Sequence, residues 1–333
     1  MGRVSDGDAA STGDGLDSVH RLEFDVDWPP GHAAAYLIDT AEPILVDAGA
    51  PGDDNEERFR SRLEAVGLGP ADLDHVLITH PHTDHIGQLP TILDGDVRLY
   101  APQRVVDQLR RSPDQLAAGV RDVAAEIGLD PDSIDQHVEQ AVESLERSRR
   151  LLPPDRVDRP VDFGESFTAG GYLFDTVHTP GHQIHHACYR TGLAGVRSMF
   201  TGDALIEPFR AAALHVGLDH GAFDAVDAFY RAFDALESVS VDRAFPGHGP
   251  VFGAYDRVVR RSRERLDGTV ADVAETVADI GPATPLEITM ARVEELDHPA
   301  VLLDTIGALG YLDGDDRVSF ERDEDGRRQY RTP

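Results

Sequence analysis

Residues 78–87 read ITHPHTDHIG and place three histidines and one aspartate within six positions. The run HVLITH that leads into them is short and apolar, as a buried strand is, and DHIGQLPTIL after them opens a short helix. His80 and His82 therefore alternate on extended backbone and can point the same way, while Asp84 and His85 sit at the start of the helix. Imidazoles and carboxylates converging from rigid elements are what a metal ion requires. Four donors from one strand-to-helix connection are too many for one ion, which suggests two ions side by side. A chain folded around such a site has to bring further donors to it from other strand ends.

Three later segments do so. HTPGHQIHH sets His182 after a Pro-Gly turn at the end of YLFDTVH, FTGDAL sets Asp203 after a strand at 197–201, and FPGHGP sets His248 in the same position. Each donor lies beside a glycine, where backbone can approach a buried site.

Around these motifs the pattern is mixed α/β. RLEFDVD, AAYLID and PILVDAG read as strands, EERFRSRLEAVGLGP as a helix facing inward through Phe59, Leu63 and Val66, and VRLYAP as a further strand. Residues 102–150 form a helical insertion. Ser112-Pro113-Asp114-Gln115 looks like a capping box, Leu116, Val120, Val123 and Ile127 recur at helical spacing, and Asp130-Pro131 starts a helix with Ile134, Val138, Val142 and Leu145 on its apolar face. HACYR and VRSMFTG return to strands, and Phe223, Val226, Phe229 and Phe233 line one side of a helix at 223–237. The alternation argues for a layered α/β domain over 19–266. Residues 267–333 hold helices near 269–280 and 285–296, a third in PAVLLDTIGALGYL, and two alternating strands around Asp325-Gly326, the element set of a small winged-helix domain. Residues 1–18, rich in Gly, Ser and Asp, read as a disordered polar tail.

Composition narrows the partners. Asp and Glu total 61 against 31 basic residues, every one of them Arg, for a net charge of −30. Such a surface repels nucleic acid and anionic membranes, and its even spread along the chain fits a salt-rich cytoplasm. The Arg-rich stretch 257–266 reads as a solvated face pairing with the abundant carboxylates. The opening MGRVSDGDAASTGDG has no apolar signal region, and the single Cys188, read as a core residue, excludes an intrachain disulfide, so a cytoplasmic protein is expected. No apolar run reaches bilayer-spanning length.

The signature His80-x-His82-x-Asp84-His85, followed in order by TPGH, GDAL and PGHGP and preceded by ILVDAG, resembles the metallo-β-lactamase superfamily over about residues 19–266. The helical insertion and the C-terminal segment are similar to those of superfamily hydrolases that carry a winged-helix-like domain. The resemblance implies an αββα sandwich with the metals at one edge. It implies that His80, His82 and His182 hold one divalent ion, that Asp84, His85 and His248 hold a second, and that Asp203 bridges. Zinc is the default for so many imidazoles, with iron or manganese as alternatives. Asp47 is then the carboxylate that orients a ligand imidazole from behind, and His186 a candidate for a similar supporting place. His178 reads as a strand residue facing a neighbour. His215 and His220 read as surface-loop residues, lining the pocket being the alternative, while His32, His75, His137 and His298 have no supporting context.

The implied chemistry is hydrolysis by water activated between two cations about 3.5–4 Å apart, with Asp84 and Asp203 as the catalytic carboxylates. A glyoxalase II-like cleavage of a small thioester or ester fits the complete seven-ligand set. A nuclease or phosphodiesterase fits the winged-helix elements but not the charge, and an iron-dependent oxygen- or persulfide-handling member would need only part of the set. An antibiotic-cleaving role fits poorly with a cytoplasmic protein. A homodimer is compatible with the apolar stripes of the insertion.

One expectation follows from charge alone. Thermal unfolding followed from molar down to millimolar potassium chloride should give a falling Tm, because withdrawn salt leaves the carboxylates unscreened; a flat or rising Tm on dilution would contradict salt adaptation.

Overall fold

The computed structural model describes residues 16–293 and 299–333. Strands β1 (Val19–Asp25), β2 (His32–Ile38), β3 (Ile44–Val46), β4 (His75–Leu77), β5 (Arg98–Pro102) and β6 (Arg159–Val161) form a six-stranded sheet in that order, antiparallel as far as β3 and parallel from β3 to β6. Strands β7 (Ser166–Ala169), β8 (Tyr172–His178), β9 (Ala187–Leu193), β10 (Val196–Gly202) and β11 (Arg243–Pro246) form a second sheet in the order β11-β10-β9-β8-β7, in which only β10 and β11 run parallel.

Side-chain alternation along the strands makes the layers. Ala34, Tyr36 and Ile38 of β2 enter the core between the sheets, whereas Ala35 and Leu37 face outward. Ile44 and Val46 of β3 likewise point inward and Leu45 outward. On the other sheet Tyr189 and Phe200 point inward, and Cys188 and Met199 outward. Both faces of both sheets are therefore apolar, so each sheet needs a helical cover. Helix α1 (Asp53–Glu64), through Phe59 and Leu63, and the short helices α2 (Thr83–Ile86) and α3 (Leu89–Ile92) cover the first. The expected αββα sandwich is the fold.

The insertion is helical as expected: α4 (Gln103–Leu109), α5 (Pro113–Glu126) and α6 (Pro131–Leu151). Asp130 caps α6 by accepting from the backbone N–H groups of Asp132 and Ser133, both at 3.1 Å. Ser112 takes the cap position of α5, but its side chain makes no capping bond, so the expected box with Gln115 does not form. Pro113 in the first turn presets the helical backbone there.

Helices α7 (Ala225–Glu237) and α8 (Tyr255–Ile280) cover the second sheet. The boundary expected at 266/267 falls inside α8, because the buried series Val258, Val259, Ser262, Leu266, Val270, Val273 and Val277 keeps helical period until Gly281-Pro282. Arg261 and Arg263 on its solvent side pair with Glu207, Asp234 and Glu237, as expected of a solvated face. Helices α9 (Pro285–Arg292) and α10 (Pro299–Gly314) and the hairpin β12 (Ser319–Arg322) and β13 (Arg328–Arg331) follow. Ile288, Leu309, Leu312 and Tyr330 join the same core as Phe229 and Phe233, so these elements share the sandwich's outer layer. The insertion reaches them too: Val123, Ala124 and Ile127 pack with Leu302 and Ile306 of α10. Residues 1–15 of the expected polar tail and His298 lie outside the described residues. Leu16, assigned to that tail, is fully buried in the inter-sheet core.

Helix α10 crosses the start of α7 closely enough that a Cβ at Gly310 would lie 2.0 Å from the Phe223 carbonyl oxygen, whereas one at Gly314 meets open space. Gly310→Ala should therefore cost about 1–3 kcal/mol in chemical unfolding, the range for overpacking, and Gly314→Ala should cost nothing measurable. Equal stability of the two variants would show that α10 does not bear on α7 in solution.

Candidate metal centre

The parallel pairs β3/β4 and β10/β11 bring their C-terminal ends to one edge of the sandwich, where ligands of open α/β sheets are usually bound. Asp47 follows β3, and His80 and His82 follow β4. Asp84 and His85 stand in α2, for which His82 is the N-cap. His182 lies between β8 and β9, Asp203 just past β10 and His248 just past β11. Small residues permit the crowding. A Cβ at Gly247 would lie 2.5 Å from Asp203 Oδ1, and one at Gly202 2.5 Å from His186 Nε2.

The seven residues named as ligands from the sequence do converge. His80, His82, His182 and Asp203 form one group of potential donor atoms, and Asp84, His85 and His248 a second, each with its atoms within 4.8 Å of one another. His82 Nδ1 lies 3.0 Å from both His80 Nε2 and His182 Nε2. Asp203 touches both groups: Oδ2 is 3.3 Å from His182 Nε2 and 3.4 Å from His248 Nε2, and Oδ1 is 3.3 Å from His85 Nε2. Asp84 Oδ2 is 3.3 Å from His248 Nε2.

The far side of four of the five ligand rings is held. His85 Nδ1 donates to Asp47 Oδ2 at 2.8 Å. Thr79 donates its hydroxyl to the same carboxylate at 2.8 Å, and that hydroxyl stands 3.0 Å from His80 Nδ1, whose hydrogen it accepts. His182 Nδ1 donates to the Ala212 carbonyl (3.1 Å) and His248 Nδ1 to the His32 carbonyl (2.6 Å). With these four Nδ1 atoms engaged outward, the four Nε2 atoms are left to face the centre. The loop that carries Ala212 is tied to α10, where Asp304 accepts from the Ala213 N–H at 2.8 Å and from Arg210 at 2.7 Å. His186 is also in a supporting place, its Nε2 accepting the Asp203 backbone N–H at 3.1 Å.

Electrostatics divide the groups. Burial, then the neighbouring His182, pushes His82 down to about 3. Burial also holds His80 well below, and His182 below, the usual imidazole range, so the three imidazoles of the first group are neutral. Burial would lower His85 and His248 as well, but Asp203 and Asp84 outweigh it, raising His85 well above its ordinary value and His248 to about 10. Burial would raise Asp84, yet His85 and His248 keep it below its ordinary value and so ionised. Buried His85 Nε2 and Asp203 Oδ1 have no hydrogen-bond partner, although they face each other. Imidazole and carboxylate donors with orphaned lone pairs fit divalent cations.

A cavity of about 580 Å³ opens onto this edge, walled by His82, Asp84, His182, Asp203 and His248. His215 lines it too and is buried, contrary to the surface position expected, because its backbone N–H, shared between the His182 and Gly181 carbonyls, ties the loop inward. His220 is on the surface, paired with Asp122 at 3.0 Å. His178 stacks on Phe163, as a strand residue facing a neighbour. Cys188 is buried and its thiol pushed up to about 12, an inert core residue as expected. Two residues without sequence signal matter. His32 holds the His248 loop from 216 positions away, accepting from Gly249 N–H as well, and Trp28 stands exposed at the cavity rim.

A family model described as the metallo-beta-lactamase superfamily matches residues 28–248. The chain belongs to this superfamily. Among curated relatives it is 25% identical over 219 residues to an atrochrysone carboxyl ACP thioesterase from Cryptosporiopsis, covering 65% of this chain and 48% of that protein. It is 23% identical over 235 residues to the beta-lactamase-like protein 2 homolog of Caenorhabditis elegans, covering 70% and 60%. The chain thus spans about half the length of the curated relatives it matches. Among solved structures, a metallo-beta-lactamase family protein from Thermus thermophilus superposes with a TM-score of 0.77 at 20% identity, over 96% of this chain and 99% of that one. A beta-lactamase domain protein from Burkholderia ambifaria gives 0.73 at 18% identity, over 95% and 93%. Such coverage takes in the insertion and the C-terminal helices as part of a shared fold. No helix among the described residues is long and apolar enough to cross a membrane.

Asp47 has a left-handed backbone (φ 58°), which asparagine also tolerates. Asp47→Asn should therefore fold, yet weaken metal affinity about 10–100-fold by loosening His85 and His80. Titration against a competing chelator reads this, and unchanged affinity would remove Asp47 from the ligand-orienting role.

Proposed function

We propose that this chain is a hydrolase with a dinuclear, zinc-type centre that cleaves a small thioester or ester. The observation that carries the reading is Asp203, which reaches both donor groups while the second group, Asp84, His85 and His248, is complete. A protein using one ion for oxygen or persulfide chemistry has no need of that second group. Relatives named as ACP thioesterases add support for the thioester class.

Bound divalent cations supply Lewis acidity, lowering the pKa of water and neutralising charge that develops on an acyl oxygen. The protein's part is to hold the donors rigid, exclude bulk water and move one proton. Water adds to the acyl carbon, the carbon–sulfur or carbon–oxygen bond breaks, and the leaving atom departs with a proton. Asp84, ionised and on the cavity wall, is placed to take that proton from the water and return it to the leaving group. The cavity, narrowed by Leu109, Leu116 and Leu145 of the insertion, suits a small acyl substrate better than a folded RNA. The chain's charge opposes a phosphate backbone in the same direction.

Purified protein should carry close to two divalent ions, and Asp203→Ala should lower occupancy at both positions and abolish thioester turnover. One ion at most, with activity kept in Asp203→Ala, would overturn the dinuclear reading. RNA or phosphodiester cleavage exceeding thioester hydrolysis in the same high-salt assay would replace the substrate class.

A further inference from the structure

Behind the metal cavity lies a second one of about 210 Å³, and the two share Leu116, Ala141, Val216, Gly217 and Leu303 as walls. The two adjoin along these shared residues. The first ends on the donor side chains. The second is bounded by Val120 of α5, Leu218 of the connecting loop and Leu302 of α10, with His137 and Gln140 its only polar side chains. Val120 and Leu302 are almost wholly buried. His137 is itself engaged, its Nδ1 donating to the Ser133 carbonyl at 2.8 Å.

A substrate whose scissile carbonyl sits at the donors extends into this annex best through an apolar chain, since all of its walls but His137 and the exposed Gln140 offer no polar side chain. The leaving side of a thioester, usually a polar thiol carrier, is therefore a poor occupant, and the acyl side a good one. The volume accommodates a run of methylenes and not a second folded body. We infer that the annex between α5, α6 and α10 binds the hydrocarbon chain of a medium-chain acyl group, making the insertion and the C-terminal helix jointly the chain-length selector. The inference rests on the hydrolase reading for the position of the carbonyl; the annex as an apolar-chain site stands or falls separately.

The test uses two probe series with the full-length metal-loaded protein in high salt. N-acetylcysteamine thioesters from acetyl to dodecanoyl read turnover, and the non-hydrolysable thioethers S-ethyl- and S-decyl-N-acetylcysteamine read binding by calorimetry. The expected result is a kcat/KM that rises about fourfold per methylene until the annex is full, the equivalent of ~0.8 kcal/mol each. The decyl thioether should bind far more tightly than the ethyl one. Val120→Phe, which fills the annex, and Ala141→Phe, which narrows its neck, should each collapse the decanoyl-to-acetyl ratio and the decyl preference. Two variants are used so that one failing to fold, seen in thermal unfolding, leaves the other. Thioester turnover with a flat chain-length profile, or a decyl preference untouched by the folded variants, overturns the inference and leaves the hydrolase reading intact. No turnover of any thioester, with a decyl preference that the variants abolish, upholds the annex and overturns the thioester reading.

Discussion

Three carboxylates and six imidazoles are taken out of water at one edge of this fold: Asp47, Asp84 and Asp203, with His80, His82, His85, His182, His186 and His248. Burying an unpaired ion costs several kcal/mol, so such a cluster survives only if nearly every polar atom has an assigned partner. Much of the surrounding architecture serves that condition. Parallel strand ends deliver the donors, Gly202 and Gly247 let backbones approach, and carbonyls from otherwise unremarked loops take up the outward ring hydrogens. The two inward atoms left without a partner, on His85 and Asp203, mark where positive charge belongs.

The same edge needs walls, and the sandwich alone does not provide them. Helices α5 and α6 enclose it from one side and α10 from the other, with Ile127 and Ile306 in one apolar cluster and Glu126 bonded to both Arg322 and Arg328 of the hairpin. Segments that stand apart in sequence as an insertion and a C-terminal appendage thus form one enclosure in space. Its burial also accounts for the apolar stripes of the insertion without a second copy of the chain.

The seven donors were legible because they sit at strand ends or at the start of the helix that follows one, a local pattern that survives without knowledge of the fold. The layer architecture was legible for a similar reason, as short apolar runs separated by Gly and Asp announce buried strands. What escaped was set by distance. Nothing near His32 indicates that its carbonyl will hold His248, and nothing near His215 indicates that its loop will turn inward. The position 266/267 lies inside one helix because the buried series from Val258 to Val277 keeps its period across it, a continuity that packing enforces and a short window does not reveal. Leu16 shows the converse, a leucine in a polar stretch captured by a nearby core.

Asp304 links the two halves of this picture. It belongs to α10, yet it fixes the backbone next to the carbonyl that orients His182. Ion binding at this edge and docking of the C-terminal helix would therefore be coupled, each favouring the other by one shared coupling free energy. An ion held at the strand ends would then brace the C-terminal helix as well, and the enclosure around the donors would stiffen with the centre it surrounds.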